Sequence, residues 1–87
     1  MALSVTIAAA RDEATAASQR YGDFASSHEA YGVLAEEMAE LLDAIRANAL
    51  LSIGHEALQV AAVALRLSEV CSRGSGTEFA RRSGCVR

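Results

Sequence analysis

Three carboxylates fall within five residues in the segment Leu34-Ala35-Glu36-Glu37-Met38-Ala39-Glu40-Leu41-Leu42. A further acid opens the next apolar stretch, in His55-Glu56-Ala57-Leu58-Gln59. Glutamates spaced i, i+3 on a helix suit Mg²⁺, which takes oxygen ligands and keeps room for water and substrate phosphates. Acids on two facing helices could share such a cation, and the cation could then bind a phosphorylated substrate. The plain alternative for Glu36, Glu37 and Glu40 is a solvated acidic face. That alternative serves Glu56 less well, because a lone carboxylate near a core stripe is costly without a partner. Arg46, Arg66 or a metal could supply one.

Helical geometry sorts these side chains. At about 100° per residue, Glu37 falls about 80° from the centre of its apolar stripe, and Glu40 lies about 60° further round on the same side. These two can share an ion at the rim of the core. Glu36 and Asp43 point roughly away from the stripe, so Glu36 could reach a second ion or only solvent. On the following helix Glu56 falls close to the apolar stripe and Gln59 one step outside it, with Arg66 seven residues beyond Gln59 on the same side. In an antiparallel hairpin Glu40 and Gln59 come roughly level, and Glu37 and Glu56 are offset by one or two turns.

Three helices are predicted to position these groups. The first runs from about Leu3 to about Tyr21, with small or apolar residues at Leu3, Ile7, Ala10, Ala14, Ala17 and Tyr21, a rhythm suited to close packing. Gly22-Asp23 ends it. Ser26 followed by Glu29 reads as a capping box, and the second helix carries the stripe Tyr31, Leu34, Met38, Leu41, Ile45 as far as Asn48, with a turn at Ala49 to Ser52. The third runs from Ile53 to Cys71 with the stripe Ile53, Ala57, Val60, Ala64, Leu67, Cys71. Leu58, Ala62 and Leu65 lie on its opposite side. A helix apolar nearly all round must be buried on more than one side, which implies a second copy of the chain. Residues 1–72 form one domain on this reading. Residues 73–87 form a flexible tail, with Arg73-Gly74-Ser75-Gly76 as linker, Gly74 as helix stop, and a basic contact through Arg81, Arg82 and Arg87.

Composition narrows the class. Eighty-seven residues with 52% apolar character, abundant Ala and neither Pro nor Trp describe one small all-α domain. A core of this size is marginal alone. The net charge of −3 gives a nucleic-acid partner little electrostatic support. All basic residues are Arg, the better residue for bidentate phosphate contacts. Cys71 is expected to be a buried free thiol and Cys85 to lie in the tail, with no zinc spacing between them. No stretch is expected to span a membrane, and the first residues lack the pattern of a signal peptide. A cytoplasmic location follows.

Other motifs are absent or weak. Neither His28-Glu29 nor His55-Glu56 is followed by the second His of a zinc-protease helix, since Gly32 and Gln59 stand there. No Gly-rich phosphate loop and no nucleophile–base pair occur. Ser26, Ser27 and His28 could meet phosphate at a helix N-terminus, although capping is the simpler role for Ser26. The echo between Ser27-His28-Glu29-Ala30 and Gly54-His55-Glu56-Ala57 reads as two similar helix starts.

Phe24 to Leu34, Glu36-Glu37-Met38-Ala39-Glu40-Leu41 and Glu56-Ala57-Leu58-Gln59-Val60-Ala61-Ala62 together resemble small MazG-like proteins. These are all-α nucleoside triphosphate pyrophosphohydrolases, with dimeric dUTPases as relatives. The resemblance covers about residues 21–70. It implies a helical bundle completed by dimerisation, sometimes as a dimer of dimers. It implies Mg²⁺, or Mn²⁺ in its place, held by Glu37, Glu40 and Glu56, with Glu36 assisting a second metal or the attacking water. Water activated by the metal would release nucleoside monophosphate and pyrophosphate. The family's final Asp is Gln59 here, as in short phage-type and mobile-element members. Its amide oxygen can join the metal but brings no charge. Two further readings stay open: a non-catalytic helical module that binds nucleotide or a protein, and a purely structural dimerisation domain.

Overall fold

The computed structural model describes residues 2–74 and 77–85. It contains four helices and, among the described residues, no strand: α1 (Leu3–Tyr21), α2 (Ser27–Arg46), α3 (Leu50–Cys71) and α4 (Glu78–Arg82). The all-helical class expected from composition is what the chain adopts.

Side-chain and backbone caps set the boundaries. Ser26 Oγ accepts from Glu29 N at 3.1 Å, and Glu29 Oε1 accepts from Ala25 N at 2.7 Å, a capping box whose return bond reaches one residue further back. At the other end of α2, Asn48 has φ 54°, a left-handed conformation that Asn tolerates better than most residues. Asn48 N then donates to Ile45 O at 3.0 Å and Ala49 N to Ala44 O at 3.2 Å, the paired bonds of a left-handed helix stop. This stop closes the turn within three residues. Leu50, Leu51 and Ser52, expected in the turn, therefore form the first turn of α3.

α3 is the central helix. Both α1 and α2 pack on it, and their own backbones stay more than 8 Å apart, Cα to Cα. Cross-helix bonds from Gln59 to Glu13 and from Arg66 to Gly22 show that α1 and α3 run parallel. α2 returns antiparallel between them in sequence. By length and composition α3 is able to cross a membrane, contrary to the sequence expectation. In this fold, however, its polar side chains bond across to α1.

The contact faces of α2 and α3 are rotated from the predicted stripes, whereas on α1 the buried residues Ala10 and Ala14 belong to the predicted one. On α2 the inward line is Ala30, Leu34, Glu37, Leu41 and Ala44, while Tyr31, Met38 and Ile45 are exposed. On α3 it is Glu56, Gln59, Val63, Arg66 and Val70; Ala57, Ala64 and Cys71 face outward. On α1 only Ala10 and Ala14 are buried, and Leu3, Ile7 and Tyr21 are exposed. Small residues occupy the closest approaches, and polar residues share the inner lines. The expected buried thiol at Cys71 is therefore an exposed one.

The main cluster of buried residues joins Phe24, Ala30, Val63, Val70 and Phe79. Phe79 comes from α4, a helix within the stretch expected to lack regular structure. Thr77 Oγ1 caps it by accepting from Ala80 N at 3.1 Å, and Glu78 pairs with Arg81 and Arg82. Gly84, with φ 83°, lets Cys85 N close back on Ala80 O at 2.9 Å. Ser83 Oγ accepts from Ser27 N at 2.7 Å, tying the end of α4 to the start of α2. Arg81 and Arg82 are thus engaged with Glu78. Ser75, Gly76 and Arg87, assigned to the linker and the basic contact, lie outside the described residues.

Candidate functional site

Glu37, Glu40 and Glu56 come together. Each offers a carboxylate oxygen, and these atoms all lie within 4.8 Å of one another. The α2–α3 pairing lets the Glu56 carboxylate reach both α2 glutamates. Glu37 sits on the inward line of α2 rather than at the rim of its stripe. Its Oε2 is shielded from solvent and has no hydrogen-bond partner. Burial raises the Glu37 pKa above its ordinary value, and the neighbouring carboxylate of Glu40 raises it further, with Glu56 and Glu36 adding to the effect. Glu36 itself is exposed and stands outside the three-acid group.

Such a cluster is strained electrostatically. Like carboxylates at close range repel, and a shielded oxygen without a donor loses its hydration. Two things relieve this: a shared proton or a cation. The donor set is all carboxylate oxygen, the chemistry that Mg²⁺ and Mn²⁺ accept. The residues present therefore fit a divalent ion.

Gln59 lies one turn beyond Glu56 on the inner line of α3. Its Nε2 donates to Glu13 Oε1 at 2.9 Å, leaving the amide oxygen as its acceptor. Glu13 was not among the residues picked out by sequence. It belongs to α1, where it reads as a solvated charge off the Ala stripe, although it directly precedes buried Ala14. Glu56 pairs with neither expected arginine among the described salt bridges. Arg66 instead donates from Nη2 to Gly22 O at 3.1 Å, and its guanidinium carbon lies 4.2 Å from the centroid of the Phe24 ring.

A cleft of about 560 Å³ opens where α1 and α2 diverge over α3. Glu13 and Arg20 of α1, Val33 and Glu37 of α2, and Gln59 and Arg66 of α3 are among the side chains lining it. The volume suits a small organic ligand. Glu37 links the cleft to the acidic group, and the arginines supply positive charge. Ser26 and Ser27, by contrast, are committed to holding helix ends. No family model, curated protein or solved structure matches the chain.

Proposed function

We propose that this chain is a Mg²⁺-dependent nucleoside triphosphate pyrophosphohydrolase of MazG-like type, working as a homodimer or dimer of dimers in the cytoplasm. Mn²⁺ could replace Mg²⁺. The observation that carries the reading is the convergence of Glu37, Glu40 and Glu56 beside the cleft, with an unpartnered Glu37 oxygen among them. Glu37, Glu40 and Glu56 would hold the ion, and the Gln59 amide oxygen could add a neutral ligand. The ion would supply charge neutralisation at the phosphates and a lower pKa for attacking water.

The side chains of the chain itself account for the rest. Glu37, which reaches from the acidic group into the cleft, would orient the attacking water as well as hold the ion. Exposed Glu36 would adjust the charge felt there. Attack at phosphorus breaks one P–O–P linkage and yields nucleoside monophosphate and pyrophosphate. The net charge of −3 gives no support to a nucleic-acid ligand, and free Cys71 and Cys85 are compatible with a reducing compartment. The exposed Leu50, Leu51 and Leu65 on α3 support self-association.

The test is pyrophosphate release from a panel of canonical and modified nucleoside triphosphates with Mg²⁺, run beside Glu40→Gln. Release that disappears in the variant is the expected result. Full activity in the variant would remove the acidic group from the mechanism. A second reading, a nucleotide-binding module without turnover, is favoured by one feature: residue 59 offers a neutral amide where a carboxylate would add charge to the ion site. It predicts Mg²⁺ binding with no release from any nucleotide.

A further inference from the structure

We infer that Arg66 is the phosphate anchor of the cleft, gripping the end of a polyphosphate chain that lies away from Glu37, Glu40 and Glu56. The identity of the ligand rests on the hydrolase reading; the choice of residue rests on the geometry around it.

Arg66 occupies the inner line of α3, where a half-buried cation needs compensation. It receives little. None of the salt bridges among the described residues includes it. Its Nε is shielded from solvent and lacks a partner, and Gly22 O takes one Nη2 bond. Of the acids that line the same cleft, Glu13, Asp23, Glu29 and Glu37, only Asp23 is in an ion pair among the described residues, and each of the others stays out of ion-pairing distance of Arg66. Asp23 pairs with Arg73, Glu29 accepts from Ala25 N, and Glu13 accepts from Gln59. Arg66 is thus a guanidinium in no ion pair among the described residues, lining an open cleft.

The same contacts orient it. The Phe24 face lies 4.2 Å away and the Gly22 carbonyl fixes one edge. Stacking leaves the in-plane N–H groups of an arginine free for an anion. Phe24 is itself 5% exposed and packed in the core cluster, so the platform is rigid. Arg20 lines the same cleft from α1 and is in no salt bridge among the described residues; its guanidinium carbon lies 5.7 Å from the centroid of the Tyr21 ring. Along α3, Arg66 stands about 15 Å from Glu56 and about 10 Å from Gln59, and Glu37 of the acidic group lines the same cleft as Arg66. Long side chains at both ends shorten that gap, so one phosphate chain can meet the acidic group at one end and Arg66 at the other. A nucleoside triphosphate has this bipolar requirement, a metal-held phosphate and a second anionic group some distance away.

The experiment uses inorganic tripolyphosphate with Mg²⁺ as the probe, titrated calorimetrically into the wild-type protein, Arg66→Gln and Arg66→Lys at fixed ionic strength. The expected result is binding to the wild type, weakening of about tenfold or more in Arg66→Gln, and partial recovery in Arg66→Lys. A merely structural Arg66 would make both variants melt lower and leave affinity unchanged. Arginine modification by phenylglyoxal on the wild-type protein gives an independent readout. Tripolyphosphate should protect Arg66 and leave Arg81 and Arg82 reactive. Equal labelling of Arg66 with and without tripolyphosphate, or no tripolyphosphate binding by the wild type, overturns the anchor. Nucleotide hydrolysis with an unchanged KM in Arg66→Gln overturns it too while preserving the hydrolase. Arg66-dependent tripolyphosphate binding by a protein that hydrolyses no nucleotide upholds the anchor and removes the hydrolase.

Discussion

The Gln59 side-chain amide donates to Glu13 Oε1 at 2.9 Å, joining α3 to α1 one turn beyond Glu56. A neutral amide here donates to Glu13 where a carboxylate would face it with a like charge. Gln59 therefore has a structural reason to be uncharged, separate from any role toward a metal.

Changing Gln59 to Asp tests both roles. The variant loses a hydrogen bond and places a carboxylate opposite Glu13, so without metal it should lose about 1–2 kcal/mol of stability. With Mg²⁺ its melting temperature should rise more than that of the wild type, because the added charge strengthens ion binding. Thermal melts with and without Mg²⁺ measure this directly. An identical Mg²⁺ shift in both proteins would place residue 59 beyond the reach of the ion.

Glu37 makes a prediction whose sign depends on pH. Its folded-state pKa stands above its ordinary value of 4.5, chiefly through burial and then Glu40. Folding thus favours the protonated form. Stability from that form is complete below the unfolded value and is lost as pH rises through the folded one. Glu37→Gln should therefore melt a few degrees above the metal-free wild type near neutral pH, and the difference should vanish in acid. Mg²⁺ should reverse the order by stabilising the wild type alone. A metal-free melting temperature that is lower in the variant at neutral pH would contradict the assigned strain.

Phe79 reports on α4. It is 9% exposed and belongs to the cluster with Phe24, Ala30, Val63 and Val70. Truncation to Ala should cost about 3 kcal/mol, a large share of what a chain this short holds. Removing the Ser83 hydroxyl, which accepts from Ser27 N, should cost about 1 kcal/mol. Urea unfolding followed by circular dichroism gives both values. A Phe79→Ala midpoint equal to that of the wild type would mean that α4 adds nothing to the fold.

The helices were legible where local chemistry sets them. Leu3 to Tyr21 coincides with α1, and the Ser26–Glu29 cap marks the start of α2. The inward faces were harder to read because the largest apolar residues are not the most buried ones. Leu3, Ile7, Tyr31, Met38 and Ile45 stay exposed, while Ala10, Ala14, Ala30, Ala44 and Ala62 take the close contacts. On α2 and α3 a stripe drawn through large side chains is therefore turned away from the packed one, while the α1 stripe, read through its alanines, holds the buried Ala10 and Ala14. Glu37, Glu56, Gln59 and Arg66 share the inner lines, which hydrophobic periodicity treats as interruptions. Glu37, Glu40 and Glu56 could still be chosen because their spacing is local to each helix. Glu13 and the Arg66–Phe24 stack depend on how α1 and the α1–α2 connection meet α3, and no local pattern encodes that. α4 carried its own signals in Thr77, Glu78, Arg81 and Gly84, but a five-residue helix shows too little periodicity to stand out.

The same exposed side chains make the last prediction. α1 and α3 run parallel and α2 antiparallel, so Leu3, Ile45, Leu50 and Leu51 gather at one end of the molecule. Their exposures reach 81% for Leu50 and 90% for Leu51. At the opposite end, Phe24 and Phe79 close the core, whereas nothing in the single chain covers these leucines. Burial of such a patch between copies would stabilise an assembly by about 25 cal/mol for each Å² of apolar surface removed from water. The double variant Leu50→Ser/Leu51→Ser touches little within the chain and should leave helicity intact. Sedimentation equilibrium should show the wild type as a dimer or larger and the variant shifted toward monomer. If the wild type remains monomeric at high concentration, the cleft between α1 and α2 must act within a single chain, and the proposed assembly is wrong.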